Sequence, residues 1–282
     1  MPGAHHSGMF KLDLAVMIPI SEHKRYAVPD LVRCLGALTA PLATAFFWHV
    51  NRSSRAFAED LRAECVRAGL PFVMHYDATD YDEAAAGLRI QSGVVMADAS
   101  GTASIQAIMA ARQALRSGAL SILSDDGYGL WIDADMLPPP DLFPRLSSHH
   151  RDVVAGRCHL RRADVATVAA WRLDPIPTGG VVRIRPDTFA VAGPRWLNGS
   201  NNGQSAHIAY VPNDTRGVVE VDGVGLAATL MTPRALAALS FSLDHYISDD
   251  MLASAQLKAA GFPIFVDMDT YVPHVDSDSQ VY

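Results

Sequence analysis

The order of patterns along this chain predicts an α/β fold built on a mixed, mainly parallel sheet flanked by helices. Three observations carry that prediction. A continuous apolar run, Leu14-Ala15-Val16-Met17-Ile18, stops at Pro19, as a central strand covered on both faces does. Strand-type and helix-type segments then alternate through the first half, which favours parallel pairing with helices on both sides. Two carboxylates, Asp133 and Asp135, stand where a later apolar strand meets Pro138-Pro139-Pro140, and open α/β sheets place their ligands at such strand ends.

The elements follow in order. After the first strand, the apolar spacing of Leu31 to Leu38 predicts a helix, and Thr44 to Val50 a second strand that stops at Asn51. Phe57 to Ala68 is amphipathic, with Gly69 in the usual C-cap position and Pro71 just beyond. Pro71 to Tyr76 reads as the third strand, Thr102 to Arg116 as a long helix ended by Gly118, and Gly129 to Ile132 as the next strand. In the second half, Val153 to Gly156 and Val181 to Ile184 have strand character. Residues 191–217 are rich in Gly, Asn, Pro and Ser without periodicity, and read as a long loop of the kind that serves as a lid. Order returns with Gly223 to Met231, a short helix from Pro233, a helix from Asp249 to Ala260 closed by Gly261, and a strand from Pro263 to Val266. No repeat, low-complexity tract or linker divides the 282 residues, so a single domain over 1–282 is expected.

Composition narrows the function classes. With 49% hydrophobic residues and a mean hydropathy of +0.11, the chain is globular rather than disordered. No apolar run approaches the roughly 20 residues of a membrane span. Met1 to Lys11 lacks the basic-then-apolar layout of a signal peptide, and a cytoplasmic protein is the expectation. Cys34, Cys65 and Cys158 are scattered and odd in number, which suits free thiols rather than a disulfide framework or a zinc site. A net charge of -7 argues against a generally basic, nucleic-acid-binding surface. Between Arg145 and Arg195 the balance reverses, with nine arginines against four aspartates. That stretch reads as a solvated face or as an anion-binding acceptor surface.

Three acidic or basic positions suggest chemistry. Asp133 and Asp135, separated by one small residue, repel each other unless something neutralises them. A hard divalent cation such as Mg²⁺ or Mn²⁺ does so, and such a site usually holds a phosphorylated substrate; local hydrogen bonding in a turn is the plainer reading. Asp249-Asp250 opens a helix, where acidic residues are favoured by the helix dipole. Asp250 also suits a general base, because an adjacent acid helps raise its pKa. His274 lies just past the last strand, as a structural histidine or as a third donor beside two carboxylates.

Taken together, these motifs resemble the GT-A-fold glycosyltransferases, in motif order closest to the large family 2 group. Trp131-Ile132-Asp133-Ala134-Asp135 is similar to the family's strand followed by its DxD element. Ala111-Arg112-Gln113-Ala114-Leu115 resembles its helix motif Ala-Arg-Asn-x-Gly, with Gln113 and Leu115 departing from it. Gly223-Val224-Gly225-Leu226 through Arg234 resembles a Gly-x-Gly segment that ends on a basic residue. Asp249-Asp250 followed by Leu257-Lys258-Ala259-Ala260-Gly261-Phe262 is similar to the Glu-Asp helix ending in Lys-Ala-Gly-Tyr, and His274 matches a histidine that completes the metal site in many relatives. The similarity spans almost the whole chain in the right order.

The resemblance implies a metal-dependent transfer of a sugar from a UDP- or GDP-sugar to an acceptor hydroxyl. Residues 1–137 would form the nucleotide-sugar-binding half, and 138–282 the acceptor-binding and catalytic half. Asp135, assisted by Asp133 directly or through water and the ribose, would hold Mn²⁺ or Mg²⁺, with His274 as third protein ligand. Pro19, Ser21 and Asn51 would line the base and ribose pocket, although the family more often has Asp at the Asn51 position. Arg112 would approach the diphosphate or sit as a helix-surface charge. Asp250 would deprotonate the acceptor for inversion, where the family usually has Glu-Asp and this chain has Asp-Asp. The resemblance does not identify the acceptor; the arginine-rich stretch points towards an anionic one, such as a phosphorylated small molecule, a lipid phosphate or nucleic acid. Two rival classes are a nucleotidyltransferase acting on sugar phosphates and a catalytically inactive nucleotide-sugar-binding protein. The first expects a glycine-rich loop after the first strand, and Ile18-Pro19-Ile20-Ser21-Glu22-His23 has no glycine. The second expects a broken site, yet Asp133, Asp135, Asp250 and His274 are all present.

Overall fold

The computed structural model describes residues 11–79, 89–91, 94–96, 99–162, 165–175, 188–191, 206–241 and 249–275. Its centre is an eight-stranded sheet whose strands, in chain order, are β1 (Leu12–Ser21), β2 (Thr44–Asn51), β3 (Phe72–Tyr76), β4 (Leu123–Ile132), β5 (Val153–Arg157), β6 (Val218–Val221), β7 (Ala228–Met231) and β8 (Ile264–Tyr271). Their spatial order is β6-β8-β5-β7-β4-β1-β2-β3. Pairs β1–β2, β2–β3, β1–β4 and β5–β8 are parallel. Strand β7 runs antiparallel to both β4 and β5, and β6 antiparallel to β8. The sheet is therefore mixed and mainly parallel, as the segment order predicted.

Alternation along the strands sorts side chains to two helical layers. Ala15 and Met17 of β1, with Trp131 of β4, pack under α3 (Ala99–Ile122), α5 (Pro233–Ala237) and α6 (Asp249–Ala259). Leu14, Val16 and Ile18, with Leu130, pack under α1 (Val28–Gly36), α2 (Arg55–Arg67) and α4 (Leu142–Ser147). Leu14, Val16 and Ile18 have no solvent exposure, and burial of each contributes about 1.5–3 kcal/mol. This two-sided burial is why β1 is apolar without alternation.

Local signals place several helix ends. Ser54 caps α2, its hydroxyl accepting from the Phe57 amide at 3.2 Å. Gly69 follows α2 with φ of 68°, and Gly261 follows α6 with φ of 82°, the left-handed conformation glycine adopts without a Cβ penalty.

Three readings need correction. Gly118 does not end α3, which continues to Ile122; Ala119 beyond it is fully buried in the core, so packing outweighs the roughly 1 kcal/mol a helical glycine costs. The first helix begins at Val28 and ends at Gly36, ahead of the predicted Leu31 to Leu38. Residues 191–217 are not one continuous loop: Ala206–Tyr210 is a strand that pairs antiparallel with Ala170–Pro175 and Thr188–Val191 in a separate small sheet. The expected strand Val181 to Ile184 lies outside the described residues. Among the described residues no helix is long and apolar enough to cross a membrane.

Candidate active site

The order β4-β1-β2-β3 sends the chain from β1 to one side through β2 and β3, then back to the other side at β4. The sheet thus has a switch point between β1 and β4, where diverging connections leave a crevice at the carboxyl ends of the strands. A cleft of about 400 Å³ opens there. All the residues singled out in the sequence line it: Pro19 and Ser21 at the end of β1, Asn51 at the end of β2, Arg112 on α3, Asp133 and Asp135 after β4, Asp250 on α6, and His274 after β8.

Backbone pairing holds the acidic turn against the C-terminal segment. Leu137 donates to the Pro273 carbonyl and Val275 to the Asp135 carbonyl, each at 2.9 Å, and Met136 and His274 form an antiparallel bridge. These bonds bring the imidazole to the carboxylate, with His274 Nε2 2.8 Å from Asp135 Oδ2. The same Oδ2 accepts from the Lys24 ammonium. Burial pushes the Asp135 pKa up, but His274 and Lys24 together outweigh it and leave the carboxyl below its ordinary value. Burial likewise opposes the charge on His274, yet the hydrogen bond to Asp135 raises its pKa overall.

Asp133 is held differently. Its Oδ1 accepts from Arg112 Nη2 at 2.8 Å, and Arg112 Nε donates to Asp249 Oδ2 at 2.9 Å. The guanidinium is buried, 1% exposed, and lies 5.0 Å above the Trp131 ring. Burial works against its charge, but Asp133, Asp249 and Asp250 overcome that and keep it protonated. Arg112 is thus not a helix-surface charge; it lines the cleft as an ionic cross-link between the acidic turn and the start of α6. Burial, with Asp135 and Asp249 nearby, raises the Asp133 pKa in spite of this partner.

Asp250 sits beside the cross-link. Its Oδ1 accepts from the Leu226 amide at 2.8 Å, which aims the carboxyl at the Gly225 turn. Burial first, and the charge of Asp249 second, push its pKa well above the ordinary carboxylate range. A carboxyl of raised proton affinity lining a cleft is placed to exchange a proton with a bound group.

At the carboxyl ends of β1 and β2 the cleft is stapled between two loops. The Glu22 amide donates to Ser53 Oγ at 2.8 Å, and the Ser54 amide to Glu22 Oε2 at 2.8 Å. Asn51 Nδ2 donates to the Ala107 carbonyl at 2.7 Å, which ties the end of β2 to α3. Arg52, next in the chain and also lining the cleft, has a positive φ of 45°.

A hard divalent cation suits the Asp135 and His274 donors, since Mg²⁺ is commonly held by one or two side chains with substrate phosphates and water completing its shell. Among the described residues, no group of three or more His, Cys, Asp and Glu side chains is gathered to hold a metal ion; Asp133 is drawn off by Arg112. Lys24 is a cleft residue that sequence reasoning did not single out, whereas Asp249 and Gly225 entered only as parts of motifs. Lys24 stands 111 residues from Asp135, and a lone lysine in a polar stretch gives no sign of that meeting. The arginines of the basic stretch are partly engaged elsewhere: Arg145 bonds Asp141, Arg151 stacks on Phe265 and Arg157 on Tyr271.

No family model and no curated protein sequence matches the chain. Among solved structures it is similar to S. aureus TarS 1-349 in complex with UDP, with TM-score 0.48 and 13% identity over 93% of this chain and 59% of that one. A similar likeness, TM-score 0.49 and 9% identity over 93% of this chain and 56% of that one, is to the mannosyltransferase PcManGT from Pyrobaculum calidifontis in complex with GDP-Man and Mn²⁺. It also resembles A197 from STIV, with TM-score 0.46 and 12% identity over 96% of this chain and 93% of that one. The chain thus spans less than two thirds of the length of the TarS and PcManGT structures.

Proposed function

We propose that this protein is a glycosyltransferase that moves a sugar from a UDP- or GDP-sugar to an acceptor hydroxyl. The observation that carries this reading is the single cleft at the β1/β4 switch point, which holds Asp133, Asp135, His274 and Asp250 together. Nucleotide recognition falls to Pro19, Ser21 and Asn51 at the ends of β1 and β2. Asp135 and His274 would hold Mn²⁺ or Mg²⁺, with Asp133 assisting, and the ion would supply positive charge to offset that of a departing diphosphate.

Asp250 takes the proton from the acceptor hydroxyl as the oxygen attacks the anomeric carbon, giving inversion. Its environment supports this role, because burial and Asp249 lift its proton affinity while the Leu226 amide fixes its direction. Arg112 holds Asp133 and Asp249 at their positions and offsets the mutual repulsion of three cleft carboxylates, Asp133, Asp249 and Asp250. The acceptor is anionic in this reading and approaches from the 138–282 half.

A panel of nucleotide sugars, scored for thermal stabilisation and metal-dependent hydrolysis, tests the proposal and fixes base and sugar together. Stabilisation by at least one UDP- or GDP-sugar is expected. A flat response to every nucleoside-diphosphate sugar, with and without Mn²⁺ or Mg²⁺, overturns it.

A further inference from the structure

The two aspartates of the acidic turn are neutralised by very different cations. Asp133 is paired with Arg112, which is buried, bonded also to Asp249 and stacked on Trp131. That guanidinium cannot leave without stranding two carboxylates in a site where unpaired charge is costly. Asp135 is paired with Lys24, whose side chain is 40% exposed and hangs from a flexible four-carbon stem. One cation is fixed and the other is movable.

The backbone that carries Lys24 is nevertheless pinned. Lys24 belongs to a short 3-10 helix, Glu22–Ala27, fastened by the Glu22 bonds to Ser53 and Ser54 and by Arg25 Nη1 to Asp60 Oδ2 at 2.9 Å. Tyr26 of the same turn donates to the Val275 carbonyl at 3.4 Å and accepts from Lys24 Nζ at 3.4 Å. The ammonium is therefore delivered to Asp135 by a fixed anchor, while its own tip can swing within the cleft. Its position on Asp135 Oδ2, beside His274 Nε2, is the position a divalent cation needs in order to use those two donors.

We propose that Lys24 is the resident counter-ion of Asp135, displaced when a divalent cation enters with a nucleoside diphosphate, and that the freed ammonium then takes a phosphate oxygen. This rests on the glycosyl-transfer reading and adds an order to it. Metal alone has to break the Lys24 pair with no new partner for the ammonium, so it binds weakly; metal arriving with a diphosphate gives Lys24 an anion to move to. Metal and nucleotide binding are then coupled through one side chain, and by linkage each strengthens the other equally. The exchange also keeps Asp135 from standing as an uncompensated buried charge before the donor arrives.

The test is Mn²⁺ binding to the full chain without nucleotide, followed by the loss of the free-ion EPR signal, for the wild type, Lys24→Met and Lys24→Arg. Lys24→Met is expected to bind Mn²⁺ at least tenfold more tightly than the wild type, Lys24→Arg to stay as weak as the wild type, and Lys24→Met with Asp135→Asn to lose the gain. Equal Mn²⁺ affinity in wild type and Lys24→Met overturns the proposal; Lys24→Gln gives the same comparison if the Met variant does not fold. UDP and GDP binding to the wild type, measured in parallel by calorimetry, separates the two ideas. A tenfold gain in Mn²⁺ affinity with no binding of either nucleotide supports the exchange and sinks the donor assignment. Metal-assisted nucleotide binding with no gain in Lys24→Met does the reverse.

Discussion

Asp135 and His274 are 139 residues apart in the chain, and their side chains meet at 2.8 Å. The meeting is imposed by the backbone: the turn after β4 pairs with residues 273–275 through two amide-to-carbonyl bonds and an antiparallel bridge. Strands β4 and β8 run in the same direction with β5 and β7 between them, so both segments leave the sheet at the same edge, and the donors are set by the fold and not by a local motif.

Asp135→Asn keeps the shape of the side chain and removes the charge that Lys24 and His274 share. Stabilisation of the protein by UDP- or GDP-sugar with Mn²⁺ or Mg²⁺ is expected to vanish in this variant, read as the shift in melting temperature with and without the metal. An unchanged metal-dependent shift would remove Asp135 from the metal site.

Asp250→Asn separates binding from chemistry. Donor affinity should stay near that of the wild type, while sugar transfer falls by about 10²–10⁴-fold, the usual contribution of a positioned proton acceptor. Full transfer activity in Asp250→Asn would dismiss it as the base.

Asp249→Asn addresses the pH dependence. The charge of Asp249 is one of the causes that raise Asp250, so its removal makes Asp250 lose its proton at lower pH. As the base works only when deprotonated, the rising acid limb of kcat/KM against pH is expected to move to lower pH. An unmoved limb, with the variant folded, would show that another group governs it. Linkage gives opposite signs for the two cleft acids. Asp250, raised in the folded state, lowers stability as pH climbs from the ordinary carboxylate value to its own. Asp135, lowered, adds stability above the ordinary value and loses it as pH falls through its folded pKa.

Arg112→Ala leaves Asp133 and Asp249 without their shared partner and opens space under Trp131. Removing one member of a buried ionic cluster costs on the order of 3–5 kcal/mol, so urea denaturation should show a loss of that size. Loss of less than about 1 kcal/mol would mean that water replaces the guanidinium and that the cross-link does little for stability.

The apolar run of β1 and the glycines after α2 and α6 were legible in the chain because their causes are local: two-faced burial, and a left-handed residue without Cβ. Asp133, Asp135, Asp250 and His274 were also legible as candidates, since acidic and basic residues at strand ends and helix starts are visible as such. Their gathering into one site was implied by the family resemblance and not by their spacing, and the strand Ala206–Tyr210, within a stretch dominated by Gly, Asn, Pro and Ser, was not legible. Arg112 reads in sequence as a diphosphate contact or as one more charge on a helix. Only the packing of α3 against β4 and α6 makes it a buried clamp between two acids.

By itself, then, the sequence determined the fold class, the position of the acidic turn at a strand end and the kinds of groups available for chemistry. Side-chain period, caps and strand composition act over a few residues, and so can be read from neighbours in the chain. The tertiary structure decided which cation answers which carboxylate: a fixed Arg112 for Asp133, a movable Lys24 for Asp135. Those pairings depend on electrostatic contact between segments 21 and 111 residues apart, and charge complementarity over such separations exists only once the sheet has brought the strand ends together.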